Sequence, residues 1–308
     1  MNIINKLVVT SLPFVPKNLV RYFANRYIAG ETLADAVRCV RQINNEGACA
    51  TLDVLGEDIF TKEEAVESRK QSLEVLHAIT KEKLDSNLSI KLTSLGLKLD
   101  TAFCTENVRE ILKVAAQQHI FVRFDMEDST CTTDTIDIFR TLHKDCPNTG
   151  IVLQAYLFRT ADDVKSLVNG GMKNFRLCKG IYKEAASIAF QGRGEVQQNF
   201  LKLLKQMFEC KSYVGIATHD SVLVDGANKM VSEMSLSVRT PSEKKSEYEF
   251  QMLLGVRPEL RHKLARDGHK VRLYVPFGAS WYAYSMRRFK ENPEIAGYVA
   301  KAVFMRNK

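Results

Sequence analysis

The sequence predicts an α/β protein built as one (βα)8 barrel. Eight short apolar or β-branched runs recur along the 308 residues, and amphipathic stretches of helical period lie between them. This alternation indicates a parallel sheet, and eight repeats favour a closed barrel over an open doubly wound sheet, which stays the alternative. The apolar runs span 48–55, 89–95, 120–126, 151–157, 174–180, 213–219, 248–255 and 271–278.

The stretches between these runs carry the marks of helix ends. Thr61, Thr160 and Asp220 stand where N-caps are expected, and Gly170 and Gly268 follow the last residues of two helices. The seventh apolar run is the weakest strand, because charged and amide side chains interrupt it. The predicted helices span 63–80, 105–119, 132–145, 161–169, 195–210, 221–234 and 258–267.

The composition is that of a globular protein, with 45% hydrophobic and 26% charged residues. No run reaches the roughly 20 apolar residues that cross a bilayer. Pro13 interrupts the apolar stretch 7–15, so we expect a packing or interfacial helix there and not a signal peptide. Residues 1–45 are expected to form a helical segment outside the barrel, which would occupy 46–308.

Cysteine usage and charge narrow the class of protein further. Seven cysteines, an odd number without C-x-x-C spacing, favour reduced thiols in the cytosol. The net charge is +8, but basic and acidic residues are interleaved. An ordinary charged surface is favoured, attraction to an anionic membrane comes second, and nucleic-acid binding comes last. The six scattered histidines predict no metal site.

The carboxyl ends of the strands should carry the functional residues, since active sites of (βα)8 barrels lie there. Polar side chains stand in or directly after most of the apolar runs. Because such side chains cost free energy unless they are paired or used, the pattern predicts a large polar site at the barrel mouth. These residues are Glu57, Lys91, Asp125, Gln154, Tyr156, Arg176, Lys179, Thr218, His219 and Tyr274.

Paired arginines follow the last predicted strand. Tyr284, Arg287 or Arg288, and Glu291 share one face of a helix. Two adjacent arginines can grip one carboxylate with paired donors. A solvated basic helix end is the competing interpretation, and spacing alone slightly favours it.

The fifth and sixth runs offer features of a nucleotide or flavin site. Arg176 needs an acceptor: either it stabilises the negative charge that a flavin gains on reduction, or it pairs with a neighbouring carboxylate such as Asp125. Gly180 would let a flat or phosphate-bearing ligand approach the backbone. Thr218 and His219 could bind pyrophosphate or ribose beside the next helix, although a lone histidine is more often structural.

Taken in order, one for each predicted strand, these motifs resemble those of the proline dehydrogenase family, specifically its short monofunctional bacterial members. The resemblance runs from about residue 26 to residue 304. The motifs are LGE at 55–57, IKLT at 90–93, RFD at 123–125, LQAY at 153–156, RLCKG at 176–180, ATHD at 217–220, YEFQML at 248–253, YVPFG at 274–278, and YSMRR at 284–288 followed by Glu291.

The resemblance implies a distorted barrel with non-covalent FAD and a final helix over its mouth. The reaction would be oxidation of L-proline to Δ1-pyrroline-5-carboxylate by hydride transfer to flavin N5. Arg287 and Arg288 would bind the proline carboxylate, and Glu57 would pair with Arg287 as a gate. Asp125 and Arg176 would be catalytic, with Asp125 supporting Lys91 and Arg176 lying near N5. The substrate pocket would include Lys91, Tyr182, Tyr274 and Tyr284. The cofactor would contact Met126, Gln154, Arg176, Lys179, Gly180, Ile181, Thr218, His219 and Glu291.

The resemblance also implies partners. Electrons would pass to a membrane quinone, and a separate pyrroline-5-carboxylate dehydrogenase would perform the second oxidation, because one barrel takes up the length. We expect a cytoplasmic protein without a nucleic-acid partner, and peripheral contact with the inner face of the membrane stays open. Lys183 and Asp220 replace the Trp and Asn of larger bifunctional relatives, which leaves the contacts to adenosine open. The competing functions are a cofactor-free lyase or aldolase with a Schiff base on Lys91 or Lys179, and a basic scaffold on membranes or RNA.

Overall fold

The eight strands close into a parallel barrel in chain order. A computed structural model describes residues 20–21, 24–56, 59–236 and 246–291, without the side chains of 287–291. The first and last strands pair from Cys49 with Arg272 to Val54 with Phe277, which closes the barrel. The predicted (βα)8 barrel is confirmed, and the open sheet is excluded.

The strands and helices alternate along the described chain. The strands are β1 (Cys49–Val54), β2 (Ser86–Ile90), β3 (Val122–Phe124), β4 (Thr149–Gln154), β5 (Asn174–Cys178), β6 (Tyr213–Ala217), β7 (Tyr248–Leu253) and β8 (Val271–Phe277). The helices are α1 (Leu33–Asn45), α2 (Lys62–Lys81), α3 (Thr101–Gln117), α4 (Ser129–His143), α5 (Thr160–Asn169), α6 (Arg193–Glu209), α7 (Ser221–Glu233), α8 (Pro258–Arg266) and α9 (Trp281–Glu291).

The second strand was predicted too late in the chain. The prediction was 89–95, but β2 ends at Ile90, and the chain then turns into a 3-10 helix at Thr93–Leu95. The polar residues at the start of β2 concealed it, although most of the strand is buried between its neighbours. This correction places Lys91 directly beyond the strand, at the barrel mouth.

The predicted helix caps are confirmed at two of three positions. Thr61 forms a capping box with Glu64, and Asp220 caps α7 by accepting from the backbone N–H of Val222. Thr160 is not a cap: it is the first residue of α5, and its hydroxyl donates to the carbonyl oxygen of Gln154 at 2.6 Å. The Thr160 hydroxyl therefore binds the end of β4 and does not cap the first turn of α5.

Helix α1 packs on the barrel. Ala36, Val40 and Ile43 are buried in the same apolar core as the strands and the surrounding helices. The apolar stretch at 7–15 lies outside the described residues, and the division at residue 45 stays a prediction. Within the described ranges no helix is long and apolar enough to span a bilayer.

Charged and amide side chains fill the inside of the barrel. Glu249 and Gln251 alternate with buried aromatic and apolar residues along β7, which explains why this strand gave the weakest apolar pattern. Glycine on β6 makes room for one of them: a Cβ at Gly215 would lie 2.4 Å from Nε2 of Gln251. Strand β7 is confirmed despite its polar residues, because Glu249 and Gln251 lie side by side on one face of the strand and are hydrogen-bonded to each other.

Candidate active site

Asp125 is the centre of a buried polar network at the mouth. It directly follows β3 and is 7% exposed. Its Oδ1 accepts hydrogen bonds from Ser89 Oγ and from Arg176 Nη1, both at 2.7 Å, and its Oδ2 accepts from the Tyr274 hydroxyl at 2.8 Å. Because these partners stand on β2, β5 and β8, one carboxylate joins opposite walls of the barrel.

The network fixes the protonation states of the Asp125 carboxylate and the Tyr274 hydroxyl. Burial acts to raise the pKa of Asp125, but Arg176 and Lys91 and the hydrogen bonds from Ser89 and Tyr274 hold that pKa below its usual value. Burial and the nearby carboxylates raise the pKa of Tyr274 well above its usual value. Asp125 therefore stays an acceptor, and the Tyr274 hydroxyl stays a donor.

Lys91 is held chiefly by a residue that the motif analysis missed. Its Nζ lies 2.6 Å from Oδ1 of Asp53, 3.0 Å from the Tyr274 hydroxyl and 3.6 Å from Oδ2 of Asp125. The predicted support from Asp125 is therefore secondary to that from Asp53. The sequence could have indicated this role, because Asp53 is an acidic residue inside the apolar run of β1 and a buried carboxylate needs a partner.

Arg176 adopts the carboxylate-paired alternative. Besides its bond to Asp125, its guanidinium lies 5.3 Å from the centre of the Tyr274 ring. Its side chain is 8% exposed. Pairing with Asp125 does not conflict with a flavin beside it, and that second role stays a prediction.

Gln154 ends β4 with an unsatisfied acceptor. Its Nε2 donates to the carbonyl oxygen of Glu127 at 3.2 Å, whereas its buried Oε1 has no hydrogen-bond partner among the residues that the structure describes. Met126, beside Glu127, is also buried. A buried acceptor without a donor costs free energy, so a ligand with an N–H or O–H group would fit here.

Gly180 has a local reason to be glycine. Its φ is +104°, and an added Cβ would lie 2.2 Å from the ring of Tyr156. The close approach predicted for a ligand is thus already made by a side chain of the protein. Ile181, the next residue, is 49% exposed at the rim, and Tyr182 is half-buried.

The end of β6 is locally braced. His219 Nε2 accepts from the backbone N–H of Leu253 at 3.0 Å, so this nitrogen carries no proton. The Thr218 hydroxyl accepts from the backbone N–H of Asp220 at 3.1 Å, and Lys179 Nζ lies 3.4 Å from Asp220 Oδ2. These contacts are structural, and the predicted contacts with a cofactor are untested.

Helix α9 begins beside the mouth. Trp281 and Tyr284 pack in a small apolar cluster with Leu55, which directly follows β1. The side chains of Arg287, Arg288 and Glu291 lie outside the described residues, as does Glu57. The helix on which the paired arginines were predicted is therefore confirmed, and the placement of their side chains is not tested.

Comparison with known proteins gives the family. The family model for proline dehydrogenase matches residues 36–301, most of the chain. The chain belongs to the proline dehydrogenase family. Proline dehydrogenase 1 of Bacillus subtilis subsp. natto is 38% identical over 283 residues, which cover 92% of this chain and 91% of that protein. Proline dehydrogenase of Deinococcus radiodurans is 33% identical over 285 residues, covering 91% and 89%.

Solved structures share the fold of this proline dehydrogenase family member. Proline utilization A (PutA) from Bdellovibrio bacteriovorus, inactivated by N-propargylglycine, superposes with a TM-score of 0.81 at 22% identity, covering 89% of this chain. PutA from Corynebacterium freiburgense gives 0.73 at 22% identity and covers 98% of this chain. The chain spans about a third of the length of these two structures (33% and 34%), so the likeness concerns the barrel alone.

Proposed function

We propose that the chain oxidises L-proline to Δ1-pyrroline-5-carboxylate with non-covalently bound FAD. Membership in the proline dehydrogenase family supports the substrate and a flavin cofactor. The observation that carries the proposal is the buried network of Asp53, Lys91, Asp125, Arg176 and Tyr274 at the barrel mouth. When bound there, FAD supplies the acceptor for a hydride from C5 of proline.

The residues at the mouth fit a flavin. The unsatisfied Oε1 of Gln154 can accept from an N–H group of the ring, and Arg176 offers a cation held in a buried site. Further contacts with the cofactor are proposed for Met126, Lys179, Gly180, Ile181, Thr218, His219 and Glu291. Lys179 is 41% exposed despite its pairing with Asp220, which suits a contact with a phosphate.

The charge balance of the network explains why the substrate needs the paired arginines. Asp53 and Asp125 carry two negative charges, and Lys91 and Arg176 carry two positive charges. This group is neutral, so a substrate carboxylate needs further cations. We assign that role to Arg287 and Arg288 on α9, with Glu57 as the gate.

Lys91 and the tyrosines shape the pocket for the proline ring. Lys91 is held in one orientation by Asp53 and by the Tyr274 hydroxyl, so it forms a fixed wall beside the substrate. Tyr182 and Tyr284 are proposed to complete the pocket. The amine proton leaves to water or is already absent in the neutral amine, and the C=N bond forms as the hydride departs.

The same geometry disfavours a lyase that works through a Schiff base. That chemistry needs a neutral amine, whereas carboxylates on both sides of Lys91 stabilise an ammonium. Lys179 is paired with Asp220 at the rim. As partners we propose a membrane quinone, reached by peripheral contact of a cytoplasmic protein, and a separate pyrroline-5-carboxylate dehydrogenase.

Proline deuterated at C5 tests the proposed reaction. The purified holoenzyme is mixed anaerobically with L-proline or with its 5,5-dideuterated form. Single-turnover reduction of the flavin should be slower with the deuterated substrate. Mass spectrometry of the reaction with unlabelled L-proline should find a product two hydrogens lighter than proline. An equal reduction rate together with no such product would reject C5 oxidation.

A further inference from the structure

Gln251 connects Arg176 to a second charged group deeper in the barrel. The Oε1 atom of Gln251 accepts from Nε of Arg176, and Nε2 of Gln251 donates to Oε1 of Glu249 at 2.6 Å. Gln251 is 6% exposed and Glu249 is 1% exposed. Neither belongs to the network centred on Asp125, yet both reach it through Arg176.

The two contacts fix the orientation of the amide. An oxygen must face the guanidinium, which only donates, and an NH2 group must face the carboxylate, which only accepts. A flipped amide would place donor against donor and acceptor against acceptor. Gln251 therefore has one stable orientation, which presents an acceptor to Arg176.

The far end of this chain of bonds is anchored. Arg272 Nε donates to Glu249 Oε1 at 2.7 Å, and Lys270 Nζ lies 3.3 Å from Oε2. Arg272 Nη1 in turn donates to the carbonyl oxygen of Ala50 at 2.6 Å. Burial acts to raise the pKa of Glu249, but Arg272 and Lys270 hold it well below its usual range, so the anchor is an anion.

The neighbouring strand is shaped to admit this amide. Gly215 on β6 lies so close that a Cβ there would be 2.4 Å from Nε2 of Gln251 and 2.8 Å from its side-chain carbonyl carbon. Any larger residue at position 215 would displace the amide. Glycine at position 215 on β6 therefore leaves the space that the Gln251 amide occupies.

We propose that Gln251 is a positioning residue for Arg176. Asp125 fixes the guanidinium at Nη1 and Gln251 fixes it at Nε, so the plane of the guanidinium is set by two bonds. With Asp125 alone, the group could turn about a single contact. The inference rests on the proposed function, in which this cation lies beside the flavin and stabilises the charge gained on reduction.

The test compares Gln251→Met, which keeps the length of the side chain, with Met252→Leu, a buried change on the opposite face of β7. Arg176→Lys serves as the reference. Anaerobic stopped-flow reduction by saturating L-proline should be about tenfold slower in Gln251→Met, the scale of one lost hydrogen bond to a charged group. The KM for proline and the flavin content should change little, and Met252→Leu should match the wild type.

A second readout is independent of the flavin. The Nε–H of Arg176, identified by its loss from the NMR spectrum of Arg176→Lys, should exchange with solvent faster in Gln251→Met than in Met252→Leu. Wild-type exchange and wild-type reduction in Gln251→Met would overturn the inference. Faster exchange with unchanged reduction in both Gln251→Met and Arg176→Lys would uphold the contact and reject the place of Arg176 beside the flavin.

Gly215→Ala gives the same test without removing the amide, should Gln251→Met not fold. The added methyl group displaces Gln251, so slower reduction and faster exchange of the Arg176 Nε–H are expected again. Wild-type values for both measurements in this variant would overturn the inference.

Discussion

Lys91 is oriented from β1, because its Nζ lies 2.6 Å from Oδ1 of Asp53 and 3.6 Å from Oδ2 of Asp125. The side chain of Asp53 is 2% exposed and that of Lys91 is 11% exposed, so water competes little for this contact. Asp53 therefore controls the position of Lys91, a proposed substrate-binding residue, without needing to touch the substrate itself.

Asp53→Asn should weaken proline binding more than turnover. The amide keeps the shape of the side chain but not the charge, so Lys91 loses its main partner and shifts. We expect a higher KM and a loss of about 1.5–3 kcal/mol in kcat/KM, the range for hydrogen bonds to charged groups. Steady-state kinetics should show no such loss in Asp137→Asn, which removes a surface carboxylate paired with Arg140. Equal kinetics in both variants would mean that Asp53 does not position Lys91.

Asp125 should make stability depend on pH in the acid range. Its pKa in the folded protein is lowered, so the ionised group stabilises the fold at any pH above its unfolded value of about 3.9. This contribution is lost as the pH falls through the lower folded value. Urea unfolding between pH 7 and the acid limit should give a free energy that falls below about pH 4, and falls less steeply in Asp125→Asn. The same slope in the variant would contradict the assigned ionisation.

Arg288→Met should strongly raise the KM for proline. We expect a loss of roughly 2–4 kcal/mol in kcat/KM, the scale for truncating one buried charged partner. Flavin content should be nearly unchanged, since the proposed contact of Arg288 is with the substrate and not with the cofactor. Arg266→Met, at the exposed end of α8, is the control. Kinetics like those of the control would place Arg288 on the solvated surface.

The proposed gate joins Glu57, which follows β1, to Arg287 on α9. A rim pair of this kind should contribute only about 0–1 kcal/mol to the free energy of unfolding. Glu57→Ala should therefore leave the Tm almost unchanged but lower kcat/KM, because closure excludes water and commits the substrate. Combined with Arg287→Ala, the losses should be less than additive. Additive losses would show that the two side chains do not meet.

The barrel could be predicted because its signal is repeated eight times, whereas individual contacts depend on register. Alternating apolar runs and helices fixed the strand number even though β2 was placed too late. Asp53 escaped notice because one acidic residue in a strand resembles an interruption. Its role depends on the pairing of β1 with β2, which brings Asp53 opposite Ser89, two residues before Lys91.

Arg176 shows where sequence patterns leave a choice. Its acceptors are Asp125, directly after β3, and Gln251 on β7, and these two strands lie two places away from β5 on either side. Only closure of the barrel brings them to one guanidinium. The motifs favoured a flavin contact and an ion pair equally for Arg176. The structure shows the ion pair with Asp125, and the flavin contact stays a prediction.

The visible spectrum of the purified protein tests the central claim most directly. The account predicts a yellow protein with a flavin absorption band that bleaches when L-proline is added without oxygen, and that stays unchanged when L-alanine is added instead. A colourless protein, or a flavin band that L-proline leaves unchanged, would contradict it.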